Sequence, residues 1–78
     1  MFVVIKYMNH TRSFTMEIIT IVDTLKVADT IALQKAVENY GFDISNEIES
    51  VINIKNIISE YSLGDGLNRY VYAIIEHL

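Results

Sequence analysis

At 78 residues the chain has room for one domain, and it contains no Cys, no Pro and three Gly, so neither a disulfide nor a thiolate metal site can support its core. With 51% hydrophobic residues and a formal charge of −4, the composition excludes a disordered chain and the clustered Lys and Arg of a nucleic-acid-binding domain. No apolar run approaches the roughly 20 residues of a membrane span. The opening Met1–Lys6 lacks the basic region and long apolar core of a signal peptide. The expected location is therefore a reducing cytoplasm, where Asn9-His10-Thr11 carries no glycosylation meaning.

The chain opens with two alternating runs, Phe2–Met8 and Phe14–Val22, joined by the polar turn Asn9–Ser13. Both read as β-strands. In the first, Phe2, Val4, Lys6 and Met8 point one way, and Val3, Ile5 and Tyr7 the other. In the second, Phe14, Met16, Ile18, Thr20 and Val22 alternate with Thr15, Glu17, Ile19, Ile21 and Asp23. Large apolar groups lie on both faces, so either both faces are covered or one is a binding surface. A two-stranded ribbon is marginal in water, so further strands or helices must pack on it.

Leu25–Gly41 supports two readings. As a strand, Leu25, Val27, Ile31, Leu33 and Val37 share the odd positions, with Asp23-Thr24 as a hairpin turn. As a helix, Leu33, Ala36, Val37 and Tyr40 follow the i, i+3, i+4, i+7 rule, with Thr30 as a cap and Gly41 just past the end. The Ala-rich composition favours the helix. Asn46–Tyr61 reads as a helix opened by Asn46 and Glu49 in an approximate capping box. Its apolar residues Ile48, Val51, Ile52, Ile54, Ile57, Ile58 and Tyr61 span an arc of roughly 220°, wider than the stripe of a surface helix. Gly64-Asp65-Gly66 marks a turn. From Leu67 to Leu78, Leu67, Tyr70, Val71, Ile74, Ile75 and Leu78 fall on one helical side, which favours a helix over the strand propensity of Tyr70–Ile75.

Candidate chemistry is sparse. His10 sits in a turn and His77 near the end, neither with a second His, Cys or carboxylate at metal-ligand spacing. Ser, His and Asp occur without a nucleophile elbow. Gly64-Asp65-Gly66 is followed by Leu67-Asn68, not the Lys-Ser/Thr of a phosphate loop. Glu47 and Glu49 lie two apart and do not face each other on a helix. These absences argue against an enzyme. Five tyrosines, Tyr7, Tyr40, Tyr61, Tyr70 and Tyr72, argue for an interface, where tyrosine offers area and a hydroxyl at low entropic cost.

Three stretches carry a resemblance: Ile5-Lys6-Tyr7 with Met16 and Ile18; Phe42-Asp43 with Glu49-Ser50; and Gly64–Arg69 with Ala73 and Glu76 beyond. Together they resemble a small phage anti-CRISPR family that inhibits type I-F surveillance complexes. The resemblance implies a four-stranded antiparallel sheet with two packed helices, in which Leu25–Leu33 and Ala36–Asp43 are strands. It also implies binding to the backbone subunits of the crRNA-guided complex, so that target DNA cannot pair with the guide. The family's first contact tyrosine falls on Tyr7, its second on Ile21, and its contact acid near Ala32.

The expected fold is α+β over residues 1–78: an N-terminal antiparallel β-sheet, a hairpin extended to a meander, packed against two C-terminal helices. The expected function is non-enzymatic inhibition through Cas proteins of a CRISPR surveillance complex in a host bacterial cytoplasm. Tyr7, Ile21, Lys6 and Tyr40 are the partner-binding residues, with no catalytic, cofactor or metal residue, no direct nucleic-acid binding and no membrane contact. Two other readings stay open. One is a self-associating module, a homodimer using the wide apolar arc of Asn46–Tyr61; the other is an acidic mimic of nucleic acid built from Glu38 to Asp65.

Overall fold

A computed structural model describes residues 1–10, 13–47, 57–65 and 68–77. The expected N-terminal ribbon is present as β1 (Phe2–His10) and β2 (Ser13–Val22), each longer than its apolar run. Helix α1 (Leu25–Tyr40) follows, then β3 (Ser45–Glu47), β4 (Ile57–Asp65) and β5 (Asn68–Glu76). The five strands form one antiparallel sheet in the order β2-β1-β5-β4-β3. The two ends of the chain thus pair at the sheet's centre, where Phe2 faces Glu76 and the His77 N–H donates to the Met1 carbonyl at 2.9 Å.

The α+β class holds, but the two C-terminal helices do not. Leu67–Leu78 was expected to be helical because its apolar residues segregate at a 3.6-residue period; instead Asn68–Glu76 is the central strand β5. A strand buried on both faces carries apolar residues without strict alternation, and such a run also satisfies a helical wheel. Here the strand propensity of Tyr70–Ile75 prevails, because β1 and β4 supply hydrogen-bond partners on both sides. The expected Asn46–Tyr61 helix fails at its ends, which belong to β3 and β4 and pair with each other and with β5; residues 48–56 lie outside the described ones.

In the ambiguous segment the helix prevails over both the strand reading and the strands that the resemblance implies there. Its cap is Thr24 rather than Thr30: Oγ1 of Thr24 accepts from the Val27 N–H at 3.3 Å. Gly41 ends it at φ 83° and ψ −167°, a conformation open essentially to glycine alone, and donates its N–H to the Val37 carbonyl at 3.0 Å. The buried stripe is Ala28, Ala32 and Ala36, four residues apart, while Leu33 is exposed. Methyl-sized side chains bring the helix axis close to the sheet, where the larger groups reside.

α1 covers one face. Its alanines pack with Val4, Tyr61, Tyr72 and Ile74, joined at the margin by Phe2, Ile19, Val22, Ile31, Tyr40, Ile44 and Ile58. The opposite face carries a second cluster, Ile5, Tyr7, Val71 and Ala73, flanked by Val3, Ile57 and Ile75. In β2 a bulge interrupts the alternation: Val4 faces Thr20 but Ile5 faces Ile18, leaving Ile19 as the extra residue. The residues of β2 therefore change parity there. Ile18 and Ile21, on opposite faces by simple alternation, both lie on the face away from α1. At the β4–β5 end, Gly64 has φ 112°, and a Cβ there would sit 2.0 Å from the Asn68 carbonyl oxygen, so the hairpin's close backbone approach requires glycine.

Candidate functional site

The face away from α1 combines a buried polar network with an exposed apolar row. In the network, the Tyr7 hydroxyl donates to Glu60 Oε1 at 2.8 Å. Arg69 Nη2 donates to Glu60 Oε2 at 3.3 Å and to Ser62 Oγ at 3.1 Å. All four side chains are buried. A carboxylate removed from water requires such partners, and here β1 supplies Tyr7 and β5 supplies Arg69, which Ser62 of β4 also engages. The helical reading of the C-terminal half hid this ion pair, since it becomes visible only once Glu60 and Arg69 lie on adjacent strands.

The row lies on β2. Phe14, Met16, Ile18 and Ile21 stand opposite Asn9, Tyr7, Ile5 and Val3, so they share one face. They are 49, 55, 64 and 55% exposed, respectively. β2 is an edge of the sheet, and no described strand pairs with its outer side. The sequence signal was available: between Ser13 and Val22 the only charged residue is Glu17. Edge strands are ordinarily guarded by Lys, Pro or inward charges; Ser13–Ile18 has neither Lys nor Pro, and its one charge, Glu17, lies on the face opposite the apolar row. On the helix-facing side, Lys6, Met8, Thr15 and Glu17 join Tyr7 and Met16 around an open depression of about 270 Å³.

The structure disperses the expected contact residues. Tyr7 is 1% exposed, and its ring packs 5.7 Å from that of Phe14. It thus supports the apolar row from beneath rather than forming its surface. Ile21 belongs to the row. Lys6 and Tyr40 lie on the other face of the sheet, where Lys6 Nζ sits 5.8 Å from the Tyr72 ring centroid. Tyr40 packs against Tyr70 and Tyr72 at 5.8 and 5.3 Å between centroids. Burial and its tyrosine neighbours push the Tyr40 hydroxyl up to about 12. Tyr61 is also pushed up to about 12, by burial and by the hydrogen bond it donates to Asp29.

His10 stacks edge-on against Tyr70, and its Nδ1 lies 3.2 Å from Asn68 Oδ1. Among the described residues no group of three His, Cys, Asp or Glu could hold a metal ion, and no helix is long and apolar enough to cross a membrane. Of the acids between Glu38 and Asp65, Glu60 is buried against Arg69 and adds nothing to an acidic surface. Comparison with family models, with curated proteins and with solved structures found no match.

Proposed function

We propose that the chain is a non-enzymatic inhibitor, a binding module that acts by occupying the surface of a protein assembly in a bacterial cytoplasm. The observation that carries this reading is the row Phe14, Met16, Ile18 and Ile21, exposed on an edge strand. Contiguous exposed apolar side chains favour aggregation in a free protein and are characteristic of docking sites. The resemblance of Ile5-Lys6-Tyr7, Met16 and Ile18 to the anti-CRISPR family directs the proposal to the Cas subunits of a type I-F surveillance complex. In this reading Ile21 contacts the partner, and Tyr7 acts by holding Phe14 in place.

The test is co-elution with the purified surveillance complex on gel filtration. Wild-type protein should co-elute, and Ile18→Asp, at an exposed position outside the buried core, should not. Co-elution retained by Ile18→Asp would move the docking surface off β2. Failure of the wild type to co-elute would remove the surveillance complex as partner.

A further inference from the structure

We infer that the buried Glu60–Arg69 pair fixes the exposed ring of Phe14, with Tyr7 as the lever between them, so that Glu60 and Arg69 are positioning residues for the apolar row. The inference rests on the reading of that row as the docking surface. It extends that reading to two buried side chains that a partner at the row does not touch.

β5 lies between β1 and β4, so the hydrogen bond from Tyr7 to Glu60 crosses a whole strand. Neighbouring strands are about 4.8 Å apart, which puts the two backbones about 10 Å from each other. Tyr7 covers much of that span in one buried cluster with Val71 and Ala73 of β5. Ala73 stands opposite both Ile5 and Glu60, and its methyl-sized side chain leaves the passage open. At the far end, Arg69 donates to the second oxygen of the Glu60 carboxylate and to Ser62, which holds the acceptor of the Tyr7 hydroxyl in place. At the near end, the Tyr7 ring lies 5.7 Å from that of Phe14, with 31° between their planes.

Phe14 is 49% exposed, and its covered side meets a ring that cannot turn without breaking a hydrogen bond to a buried carboxylate. A surface side chain ordinarily samples several rotamers, and a partner that binds it must stop that motion. A Phe14 ring seated on a fixed Tyr7 ring has already lost part of that freedom in the unbound protein. The buried pair therefore preorganises the end of the row that it does not itself reach.

Tyr7→Phe tests the lever, because it removes the hydroxyl and keeps the ring. In the free protein, the nuclear Overhauser contacts between the rings at positions 7 and 14 should weaken, and the Phe14 ring resonances should shift. Ala32→Leu, which destabilises from the other face, should leave the Phe14 signals as they are. Glu60→Gln retains an oxygen that can accept from Tyr7, so it should keep Phe14 in its wild-type place while lowering the melting temperature. Binding to the purified surveillance complex should weaken roughly three- to tenfold in Tyr7→Phe, as expected for ordering one freed side chain. In a Phe14→Ala background, Tyr7→Phe should weaken it no further. Unshifted Phe14 resonances in Tyr7→Phe overturn the inference. So do Phe14 resonances that move equally in Ala32→Leu or Glu60→Gln, and so does an unchanged affinity of Tyr7→Phe for a complex that the wild type binds. A wild type that does not bind the complex, with Phe14 displaced in Tyr7→Phe, supports the lever and removes that partner. A wild type that binds, with Phe14 undisplaced in Tyr7→Phe, refutes the lever and leaves the docking surface standing.

Discussion

The Glu60 carboxylate is shared by Tyr7 and Arg69 in a region closed to water. Truncating one member of such a pair removes the counter-charge of the other without restoring its hydration. Glu60→Ala should therefore cost about 3 kcal/mol, lowering the melting temperature on the order of 15 °C for a chain of this size. In a double-mutant cycle with Arg69→Ala the two costs should fall short of adding by about 1 kcal/mol or more; strict additivity would show that packing, not the ion pair, accounts for the loss. Tyr40 and Tyr61 make the second residue-scale prediction. Their hydroxyls ionise near 12 in the folded chain, against an ordinary value of 10.0. The folded state thus holds protons that the unfolded state releases, so this contribution to stability is intact below pH 10 and is lost as pH rises from there through about 12. Absorbance at 295 nm should show tyrosinate appearing late, and Tyr61→Phe should remove part of that late component. A titration of Tyr61→Phe identical to the wild type would sink this assignment.

Helix α1 depends on the smallness of its buried side. Ala28, Ala32 and Ala36 leave no room between the helix and Val4, Tyr72 and Ile74. Ala32→Leu lowers intrinsic helix-forming tendency only slightly but forces the helix off the sheet, so it should destabilise by about 1–3 kcal/mol. Leu33→Ala, one residue on and exposed, should cost well under 1 kcal/mol. Chemical denaturation of the pair measures the contrast, and equal costs would mean that the helix does not sit as described. The elements also explain what the pattern of residues could not. A helix whose buried residues are alanines shows a weak stripe, and its exposed Leu25, Val27 and Leu33 obscure the face that is buried. A bulge shifts every following residue of β2 to the other side, which is how Ile18 and Ile21 come to share a surface.

At the scale of the molecule, the central pair joins the two ends of the chain: Phe2 faces Glu76 and Asn9 faces Arg69. β2 and β3 are peripheral and β5 is the link between the two hairpins. Contacts so distant in sequence incur the full entropy of loop closure before they stabilise anything. Removing residues 68–78 should therefore abolish cooperative melting altogether, rather than merely lowering its midpoint. A truncated chain that still melts cooperatively by circular dichroism would show that the β1–β2 hairpin and α1 fold by themselves. The same topology leaves the β2 edge at the rim, where the apolar row is exposed and lies apart from the buried core.

The sequence by itself determined the α+β class and the first hairpin, and marked Gly41 as the end of a helix, because each is set by local pattern: alternation, backbone freedom and residue type. It could not decide Asn68–Glu76, since an apolar run buried on both faces satisfies a helical and an extended period alike, and only the availability of β1, 60 or more residues away, and of β4 as partners selects the strand β5. Nor could it assign Tyr7, whose place on a strand is legible but whose burial follows from Glu60 and Arg69 arriving beside it from the far end of the chain. The apolar row on β2 is the intermediate case. Its residues were visible as large apolar groups on a strand, but their common face depends on the bulge at Ile19 and their exposure on β2 lying at the edge, both of which are properties of the assembled sheet.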